Sequence, residues 1–455
     1  MSINGKKSRK YFGTDGVRDI ANEGMMTPEA AIKLGRAFIL FQNSLGIARP
    51  HVAVGRDTRY SGPMIQAALT AGITSAGGDV TDLGVIPTPG VSYAVAHSDY
   101  DAGAVISASH NPYEYNGIKF LDANGFKLTD DDELQIEDYI ETIGSRPTGA
   151  GIGTIADGRA DVNEYMASLT KLLRGLKTKS YSLVVDAANG AASALVAPLF
   201  ENWHGGVTLL ANNPNGININ NGVGVTHMSF LCGETTKNGA KLGIAYDGDT
   251  DRVLMCDSKG RVLDGDIMLW VVGRWLASVG KLGSGVVATV MSNMVLEDLL
   301  AEDGIKVFRC GVGDRYVLDT MRREKSRLGG EQSGHIIALD HANTGDGLCS
   351  GALFLRAVEE LSENISTLVD RFDRYPQVLT NVRIKDRDIV MSNPILKEAV
   401  AKAEFLLEGR GRMLLRPSGT EPLLRIFVES RDAELMEETA NMLEAAIKKI
   451  ISSGE

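Results

Sequence analysis

Short apolar runs alternate with longer segments of helical periodicity over roughly the first 370 residues. In the first region, Thr27 stands as a helix N-cap before Pro28, which occupies the favoured first helical position. Apolar runs bounded by glycine or polar residues lie between the helical segments, as the strands of a buried sheet do. The predicted elements are helices over 28–42 and from Ser61 to Gly77, and strands over 52–54, 80–86 and 102–106. This alternation predicts an α/β domain with a parallel sheet.

The same alternation recurs twice and then changes. A second round has predicted strands over 183–186, 207–210 and 242–246 and a helix over 191–200. A third has helices over 266–278 and 294–302 and strands over 286–290 and 307–310. After it the predicted order is strand 378–384, helix 395–407, strands 413–415 and 424–429, and helix 433–451. The pattern predicts three similar doubly wound α/β domains (1–153, 154–256 and 257–370) and a smaller α+β C-terminal domain (371–455) with an antiparallel sheet, the four domains surrounding a central cleft.

A polar loop follows the predicted strand over 102–106 and contains Ser109. A free serine hydroxyl is a poor nucleophile at neutral pH and needs a base or a cation beside it. His110, Lys119 and a metal ion are the candidates for that role. Serine, asparagine and proline are also ordinary turn formers, so the loop by itself leaves a purely structural role open.

Three aspartates follow the predicted strand over 242–246 at alternate positions, Asp247, Asp249 and Asp251. In an extended chain, alternate side chains point to one side, so we expect the three carboxylates to aim at one point. Converging carboxylates require a cation, and an all-oxygen ligand set favours Mg²⁺. An EF-hand is excluded because Arg252 stands where its loop needs glycine. The alternative is an exposed acidic turn in which the side chains spread apart.

The charge and cysteine content narrow the class of protein. The chain has 455 residues and a formal net charge of −11, so we expect no broad basic surface and no nucleic-acid partner. Its four cysteines form no C-x-x-C pair, which argues against a zinc site and a disulfide scaffold. No apolar run approaches the ~18 residues of a membrane span, and no apolar core follows the basic start. We expect a cytoplasmic protein, monomeric or homodimeric, whose partner is a small molecule.

Seven motifs spread over nearly the whole chain resemble those of the α-D-phosphohexomutase family. They are F-G-T-D-G-V-R at 12–18, S-A-S-H-N-P at 107–112 with N-G-I-K at 116–119, D-G-D-T-D-R at 247–252, G-V-G-D-R-Y-V at 311–317, G-E-Q-S-G-H at 330–335, N-T-G-D-G at 343–347 and R-P-S-G-T-E-P at 416–422. Two residues depart from the family pattern, because Asp19 and Thr250 stand where glycine is usual. The forms G-E-Q-S-G-H and S-G-T-E-P are most similar to the glucosamine-phosphate members.

The resemblance implies an enzyme that interconverts glucosamine 6-phosphate and glucosamine 1-phosphate. Phosphorylated Ser109 would donate its phosphoryl group to the substrate, and the resulting bisphosphate would turn over and return the other phosphoryl group. The cofactors implied are one Mg²⁺ held by Ser109 and the three aspartates, and glucosamine or glucose 1,6-bisphosphate as activator. The resemblance assigns catalysis to Ser109, His110, Lys119, Arg252 and His335, with Lys119 and His335 as the candidates for proton transfer. It assigns substrate binding to Arg18, Glu331, Ser333, Arg416, Ser418, Gly419, Thr420 and Arg425.

Three alternatives stay open from the sequence. The first is a phosphomannomutase or phosphoglucomutase of the same superfamily. The second is a phosphatase or serine-type hydrolase that uses Ser109, although the G-x-S-x-G signature of one hydrolase class does not occur in the sequence. The third is a catalytically silent sugar-phosphate sensor, which is disfavoured because Ser109 and all three aspartates are present.

Overall fold

The computed structural model describes residues 9–13, 15–142, 146–417 and 422–453. The chain divides into two compact units: Met1–Met291 with Asp303–Val369, and Ser292–Glu302 with Asp370–Glu455. Among the helices of the described residues, none combines the length and the apolar character needed to cross a membrane.

The larger unit begins with a six-stranded sheet of order β1-β5-β4-β2-β3-β6. Its strands are β1 (Val17–Ile20), β2 (His51–Arg56), β3 (Asp79–Val85), β4 (Ala102–Ile106), β5 (Tyr115–Leu121) and β6 (Ile155–Asp157), and the helices of this region are α1 (Pro28–Ser44), α2 (Gly62–Ser75), α3 (Thr88–His97), α4 (Asp130–Tyr139) and α5 (Arg159–Leu172). The hydroxyl of Thr27 accepts a hydrogen bond from the Ala30 amide, so the predicted cap and helix start are confirmed. The predicted parallel sheet is confirmed for β4, β2, β3 and β6, but β5 runs antiparallel to β4 and to β1, so the whole sheet is mixed.

A five-stranded sheet of order β11-β10-β9-β7-β8 follows in the same unit. Its elements are β7 (Leu183–Asp186), α6 (Ser193–Leu199), β8 (Val207–Leu210), α7 (Met228–Lys237), β9 (Leu242–Tyr246), β10 (Val253–Asp257) and β11 (Val262–Leu263). Strands β7, β8 and β9 are parallel, and β10 turns back antiparallel to β9. The turn between β9 and β10 carries the three aspartates.

The third sheet has the order β13-β12-β14-β15. Its strands are β12 (Val286–Thr289), β13 (Val307–Cys310), β14 (Leu328–Gly330) and β15 (Ile336–Ala338), and the helices along this part of the chain are α8 (Gly265–Ser278), α9 (Val295–Glu302), α10 (Asp314–Glu324), α11 (Gly347–Glu360) and α12 (Ile365–Arg371). Strands β12, β13 and β14 are parallel, and β15 is antiparallel to β14. The motif G-E-Q-S-G-H at 330–335, in which the resemblance assigns Glu331 and Ser333 to substrate binding, connects β14 to β15 and is called the sugar loop below.

The smaller unit contains the predicted antiparallel sheet, with order β16-β18-β17. Its elements are β16 (Gln377–Arg383), α13 (Arg387–Ser392), α14 (Pro394–Leu407), β17 (Gly411–Pro417), β18 (Leu423–Ser430) and α15 (Ala433–Ser453). Helix α9 belongs to this unit although its sequence lies between β12 and β13. The Met294 amide donates to Glu429 Oε1 at 2.8 Å, and Arg431 forms an ion pair with Asp298.

The architecture confirms the predicted class of several α/β regions followed by an α+β region. The predicted domain boundaries stay a prediction. Two strands lie just beyond them: β6 pairs with β3 of the first sheet, and β11 pairs with β10 of the second.

Candidate active site

Ser109 lies in the loop that follows β4, residues 107–114, which we call the serine loop. All five residues of β4 are buried, so the strand is fixed in the sheet and the chain leaves it at a defined point. Ser109 has a φ of +50°, in the left-handed region that costs a residue with a β-carbon about 1–2 kcal/mol. Its hydroxyl donates to Asp247 Oδ2 at 2.8 Å and lies 3.4 Å from His110 Nδ1. The predicted phosphoryl carrier therefore touches a predicted metal ligand in the turn between β9 and β10, residues 247–252, which we call the metal loop.

The three aspartates converge, but they do so in a turn. One oxygen from each of Asp247, Asp249 and Asp251 lies within 4.8 Å of the others, and all three residues are buried. Between them, Thr250 has a φ of +64°, which accounts for the usual glycine at this position. The expectation of an extended chain was wrong, because the chain reverses here to form the β9–β10 hairpin.

Main-chain hydrogen bonds from other segments fix the path of this turn. The bonds run from the Ala191 amide to the Gly248 carbonyl (2.8 Å), from the Thr88 amide to the Asp249 carbonyl (3.0 Å), and from the Gly347 amide to the Thr250 carbonyl (2.9 Å). Gly248 also passes so close to the loop of Ser109 that a β-carbon there would lie 2.6 Å from the Ser109 carbonyl oxygen. The first residues of α3 and α11 thus hold a turn that belongs to the second sheet.

The electrostatics of the aspartate cluster fit a bound cation. Burial, then the neighbouring Asp251 and Asp249, raises the pKa of Asp247 well above its ordinary value. For Asp249 the effect of burial is outweighed by Lys119 and by a hydrogen bond from Thr88, so its pKa is lowered. Among the described residues, Asp249 Oδ1 and Asp251 Oδ1 are buried without a hydrogen-bond partner. Buried carboxylate oxygens without partners are suitable ligands for a hard divalent ion such as Mg²⁺.

A chain of alternating charges leads from this cluster to α10. Lys119 Nζ lies 3.0 Å from Asp249 Oδ2 and 2.8 Å from Asp15 Oδ2. Lys127 Nζ then lies 2.7 Å from Asp15 Oδ1 and also contacts Asp314. Burial disfavours the charge on Lys119, but Asp15 and Asp249 outweigh it and raise its pKa above the ordinary value. Lys119 is therefore an ammonium at neutral pH, and it lies on β5 between two carboxylates.

The sugar loop lies in the same compact unit as the three aspartates and contains Glu331, Ser333 and His335. Glu331 Oε1 accepts a hydrogen bond from the Gly313 amide at 2.9 Å, and the Ser333 hydroxyl donates to Oε2 at 3.2 Å. His335 is buried with its ring against Gly345, and its Nε2 lies 3.9 Å from Asp251 Oδ2. Within the described residues, neither ring nitrogen of His335 has a hydrogen-bond partner.

Two arginines and His110 lie beside the serine loop and the metal loop. Arg18 donates to Asp15 Oδ2 at 3.0 Å and to Asn111 Oδ1 at 3.1 Å. The Nε of Arg252 lies 3.8 Å from Asp251 Oδ1. Burial, followed by the charges of Arg252 and Arg18, lowers the pKa of His110, so that this imidazole is neutral near pH 7. The structure thus gathers the predicted residues of the α/β regions, while their catalytic roles stay predictions.

The motif R-P-S-G-T-E-P at 416–422 is described in part. Arg416 on β17 and Arg425 on β18 are directly opposed in the register of the antiparallel pair, so their side chains leave the sheet on one face. Both residues are exposed. The predicted substrate-binding residues Ser418, Gly419 and Thr420 lie outside the described residues.

Several residues that shape this site were not predicted from the sequence. They are Asp15 and Lys127 in the charge chain, Thr88 beneath Asp249, and a buried pair, Asp57 and Arg59, behind the serine loop. Position along the chain could have indicated two of these residues. Asp57 and Thr88 come shortly after β2 and β3, and ligand sites lie at the ends of strands in such sheets.

Three stretches of the chain match domains of one family. Residues 9–147 match the phosphoglucomutase/phosphomannomutase alpha/beta/alpha domain I, residues 264–375 match its alpha/beta/alpha domain III, and residues 379–446 match its C-terminal domain. The phosphoglucosamine mutases of Carboxydothermus hydrogenoformans and Bacillus subtilis are 44% and 42% identical to it. The alignments cover 97% and 96% of this chain and 100% and 98% of the relatives.

Solved structures show the same fold. A phosphoglucomutase/phosphomannomutase family protein from Burkholderia thailandensis aligns with a TM-score of 0.81 over 97% of this chain and 98% of that chain, at 24% identity. The N-acetylphosphoglucosamine mutase of Aspergillus fumigatus, solved in complex with GlcNAc-6P and magnesium, aligns with a TM-score of 0.67 over 99% of this chain and 97% of that chain, at 17% identity. The matched domains and the full-length relatives together establish that the chain belongs to the α-D-phosphohexomutase superfamily, and that relatives sharing more than two fifths of its sequence are phosphoglucosamine mutases.

Proposed function

We propose that this protein is a phosphoglucosamine mutase that interconverts glucosamine 6-phosphate and glucosamine 1-phosphate. The observation that carries the proposal is the direct hydrogen bond from the Ser109 hydroxyl to Asp247 within a cluster of three buried carboxylates. The near-full-length relatives support the same activity. The reaction is a phosphoryl exchange, so the serine must both give and receive a phosphoryl group.

The two halves of the phosphoryl exchange return the enzyme to its starting state, with Ser109 phosphorylated. In the first half, the bond between Ser109 Oγ and phosphorus breaks while a bond forms between phosphorus and the free hydroxyl of the sugar phosphate. The proton of that hydroxyl passes to a base, and the product is a sugar bisphosphate. In the second half, Ser109 takes the other phosphoryl group, and the released sugar hydroxyl regains a proton. Lys119 and His335 stay the candidates for these proton transfers, since both lie beside the aspartate cluster. As an ammonium, Lys119 can give a proton to the released hydroxyl, but it would have to lose its own proton before it could act as the base.

The aspartates would hold the divalent ion, for which Mg²⁺ is the fitting choice. When bound, such an ion neutralises negative charge that develops on the transferred phosphoryl group. The chain's own cations, Lys119 and Arg252, add positive charge on either side of the same cluster. We expect glucosamine or glucose 1,6-bisphosphate to activate the protein by phosphorylating Ser109.

Selectivity for the amino sugar would come from a group close to the ring, and Glu331 is the charged candidate. An ionised carboxylate has about four acceptor positions, and the Gly313 amide and the Ser333 hydroxyl use two of those on Glu331. The remaining positions can accept from a sugar ammonium. A charge-assisted hydrogen bond contributes about 1.5–3 kcal/mol, which corresponds to roughly tenfold to somewhat over a hundredfold in kcat/KM. The runner-up is a mutase that prefers glucose or mannose phosphate.

The primary test is incubation of the purified protein with glucosamine 6-phosphate, Mg²⁺ and a trace of glucose 1,6-bisphosphate. We expect isomer formation without release of inorganic phosphate, whereas a phosphatase would release it. Ser109→Ala should abolish turnover, and peptide mass spectrometry should find the phosphoryl group of the wild type on Ser109. Ser193→Ala is the matched control, because Ser193 is a buried serine whose hydroxyl has no partner among the described residues. Full activity in Ser109→Ala would show that another residue carries the phosphoryl group.

Two further variants test the ligand assignments. Asp249→Asn should weaken Mg²⁺ binding and depress turnover, and an unchanged metal dependence would contradict its role as a ligand. Glu331→Gln should lower kcat/KM for glucosamine phosphate more than for glucose or mannose phosphate. An equal loss for all three sugars would assign Glu331 to hydroxyls that they share. A wild type that prefers glucose or mannose phosphate would favour the runner-up.

A further inference from the structure

Four backbone carbonyls of the serine loop converge on one buried guanidinium, that of Arg59. The side chain of Arg59 has no exposed surface. Its Nη2 donates to the carbonyls of Ser109 (2.9 Å) and Asn111 (2.8 Å). Its Nη1 donates to the carbonyl of Tyr115 (3.0 Å) and to that of Pro112. The loop from Ser109 to Tyr115 is therefore tied at four points to a single planar group.

Asp57 fixes the orientation of that guanidinium. Its Oδ2 accepts from Arg59 Nε at 2.8 Å, and its Oδ1 accepts from the Arg59 amide at 2.9 Å. The Ser107 hydroxyl also donates to Asp57 Oδ2 at 2.6 Å and accepts from the Ser109 amide at 2.9 Å. Since an arginine side chain has five N–H donors, the carboxylate and the four carbonyls use all of them. No donor of Arg59 is left for a phosphate, so its contribution to the reaction is made through the loop.

Asn220 approaches the same carbonyls from a second direction. This residue follows β8 of the second sheet, and its Nδ2 donates to the Ser109 carbonyl at 2.8 Å and to the Asn111 carbonyl at 3.2 Å. Its own amide donates to the Ala188 carbonyl at 2.9 Å, which anchors it to the turn after β7. The Ser109 carbonyl therefore accepts two hydrogen bonds, one from each of two neighbouring α/β regions.

We propose that Arg59 and Asn220 are positioning residues that keep Ser109 in its left-handed conformation, with the hydroxyl directed at Asp247. This inference rests on the proposed function, because it concerns the serine that would carry the phosphoryl group. The left-handed backbone of Ser109 is intrinsically unfavourable, and two donors on its carbonyl stabilise that orientation of the peptide group. A serine free to relax would spend less time aligned for transfer, and misalignment slows transfer steeply.

The variants remove the hydrogen-bond donors of Arg59 and of Asn220 separately. Arg59→Lys keeps the positive charge beside Asp57 but replaces a five-donor fork by a single ammonium, which cannot reach four carbonyls at once. Asn220→Ala removes the second donor and leaves Arg59 in position. Asn220→Asp puts a carboxylate against two carbonyl oxygens, so it should be worse than alanine. Arg356→Lys is the matched control, because Arg356 also binds backbone carbonyls, those of Leu172 and Arg174, and pairs with Glu360.

The experiment measures three quantities for the full-length wild type and each variant. They are kcat and KM for glucosamine 6-phosphate, the rate at which glucose 1,6-bisphosphate phosphorylates Ser109 (followed by mass spectrometry), and the Mg²⁺-dependent rise in Tm. For Asn220→Ala and Arg59→Lys we expect kcat and the phosphorylation rate to fall together, about tenfold to a hundredfold, with KM within about twofold of wild type. The Mg²⁺-dependent rise in Tm should persist, since the aspartates are untouched. Arg356→Lys should match the wild type in kcat and in phosphorylation rate.

The outcomes separate this inference from the proposed function. If the wild type converts the substrate and Asn220→Ala is phosphorylated and turns over at the wild-type rate, the positioning role is wrong. The same holds if Asn220→Ala raises KM while leaving kcat unchanged, or if both variants lose the Mg²⁺-dependent rise in Tm, since the residues would then support the fold in general. A wild type that forms neither isomer nor phosphoserine overturns the proposed function, and the inference with it.

Discussion

Replacing Asp247 by asparagine should make the metal-free protein more stable while abolishing its response to Mg²⁺. The hydrogen bonds of Asp247 survive the change: an asparagine oxygen can still accept from the Arg252 amide, and its amide group can donate to the Ser109 hydroxyl. What the substitution removes is a buried negative charge beside two others. Because the three carboxylates lie within 4.8 Å of one another, each like-charged pair costs about 3 kcal/mol at an effective dielectric constant of 20.

The raised pKa of Asp247 limits the size of this gain and gives it a pH dependence. The protein can avoid the repulsion by protonating Asp247, which at pH 7 costs about 4 kcal/mol relative to an unfolded chain with an ordinary carboxyl. We therefore expect the variant to be about 2–4 kcal/mol more stable than the wild type at pH 7 without metal. Below about pH 4 the carboxyl is protonated in both the folded and the unfolded state, so the advantage should vanish there and grow as the pH rises.

Thermal unfolding in EDTA and in Mg²⁺ is the assay. Each kcal/mol shifts the Tm of a region of 150–250 residues by about 2–4 °C, so a rise of several degrees is expected for metal-free Asp247→Asn. Asp257→Asn is the control of opposite sign: burial disfavours the charge on Asp257, but hydrogen bonds from Arg261 outweigh it and lower its pKa, so this variant should lose stability. A fall in Tm for metal-free Asp247→Asn, or a Mg²⁺ response equal to that of the wild type, would refute the reasoning.

Three other predictions follow from buried charges and strained backbone. Lys127→Met should lower the free energy of unfolding by about 3 kcal/mol, because it leaves the carboxylates of Asp15 and Asp314 without their shared cation. In urea unfolding, adding Asp314→Asn to this variant should recover part of the lost stability. Burial raises the pKa of Asp346 to about 6, so the stability of Asp346→Asn should increase relative to the wild type as the pH rises from about 4 to about 6, by about 3 kcal/mol in total. A constant difference in Tm between the variant and the wild type across that pH range would contradict this. Thr250→Gly should bind Mg²⁺ and keep the Tm of the wild type, since glycine relieves the left-handed backbone strain and removes a buried hydroxyl that has no partner among the described residues. A clear fall in Tm would show that the threonine methyl group makes stabilising contacts.

The sequence predicts elements well where periodicity and caps agree. Helix α1 begins at Pro28 as its Thr27 cap indicates, and β9 spans the predicted residues. The prediction fails where polar residues occupy strands. Lys119 lies on β5, for which no separate strand was predicted, and its side chain is buried by ion pairs with Asp15 and Asp249, which are distant in the sequence. Helix α3 was also missed, since its first residues, Thr88 to Gly90, resemble a turn.

For the candidate site, the sequence predicts identities better than contacts. Ser109 and the three aspartates meet as expected, although the aspartates do so in a turn. Lys127 and Arg59 carry no local pattern that distinguishes them from surface charges, and the motif at 12–18, which contains Asp15, does not indicate which cations this carboxylate meets. Their importance comes from partners 50 or more residues away, such as Ser109 for Arg59 and Asp314 for Lys127, and only the folded chain reveals these pairs.

The turn that carries the aspartates has its path fixed by amide and carbonyl groups, which every residue type other than proline possesses. Its shape is therefore largely independent of which side chains it carries, and at Thr250, where the family pattern has glycine, the Gly347 amide still holds the carbonyl. The charge of an aspartate can therefore change without moving the turn, whereas Gly248 cannot gain size, because a β-carbon there would lie 2.6 Å from the Ser109 carbonyl oxygen. Exchanges of aspartate for asparagine in this turn should accordingly separate electrostatics from geometry, which a loop held by its own side chains would not allow.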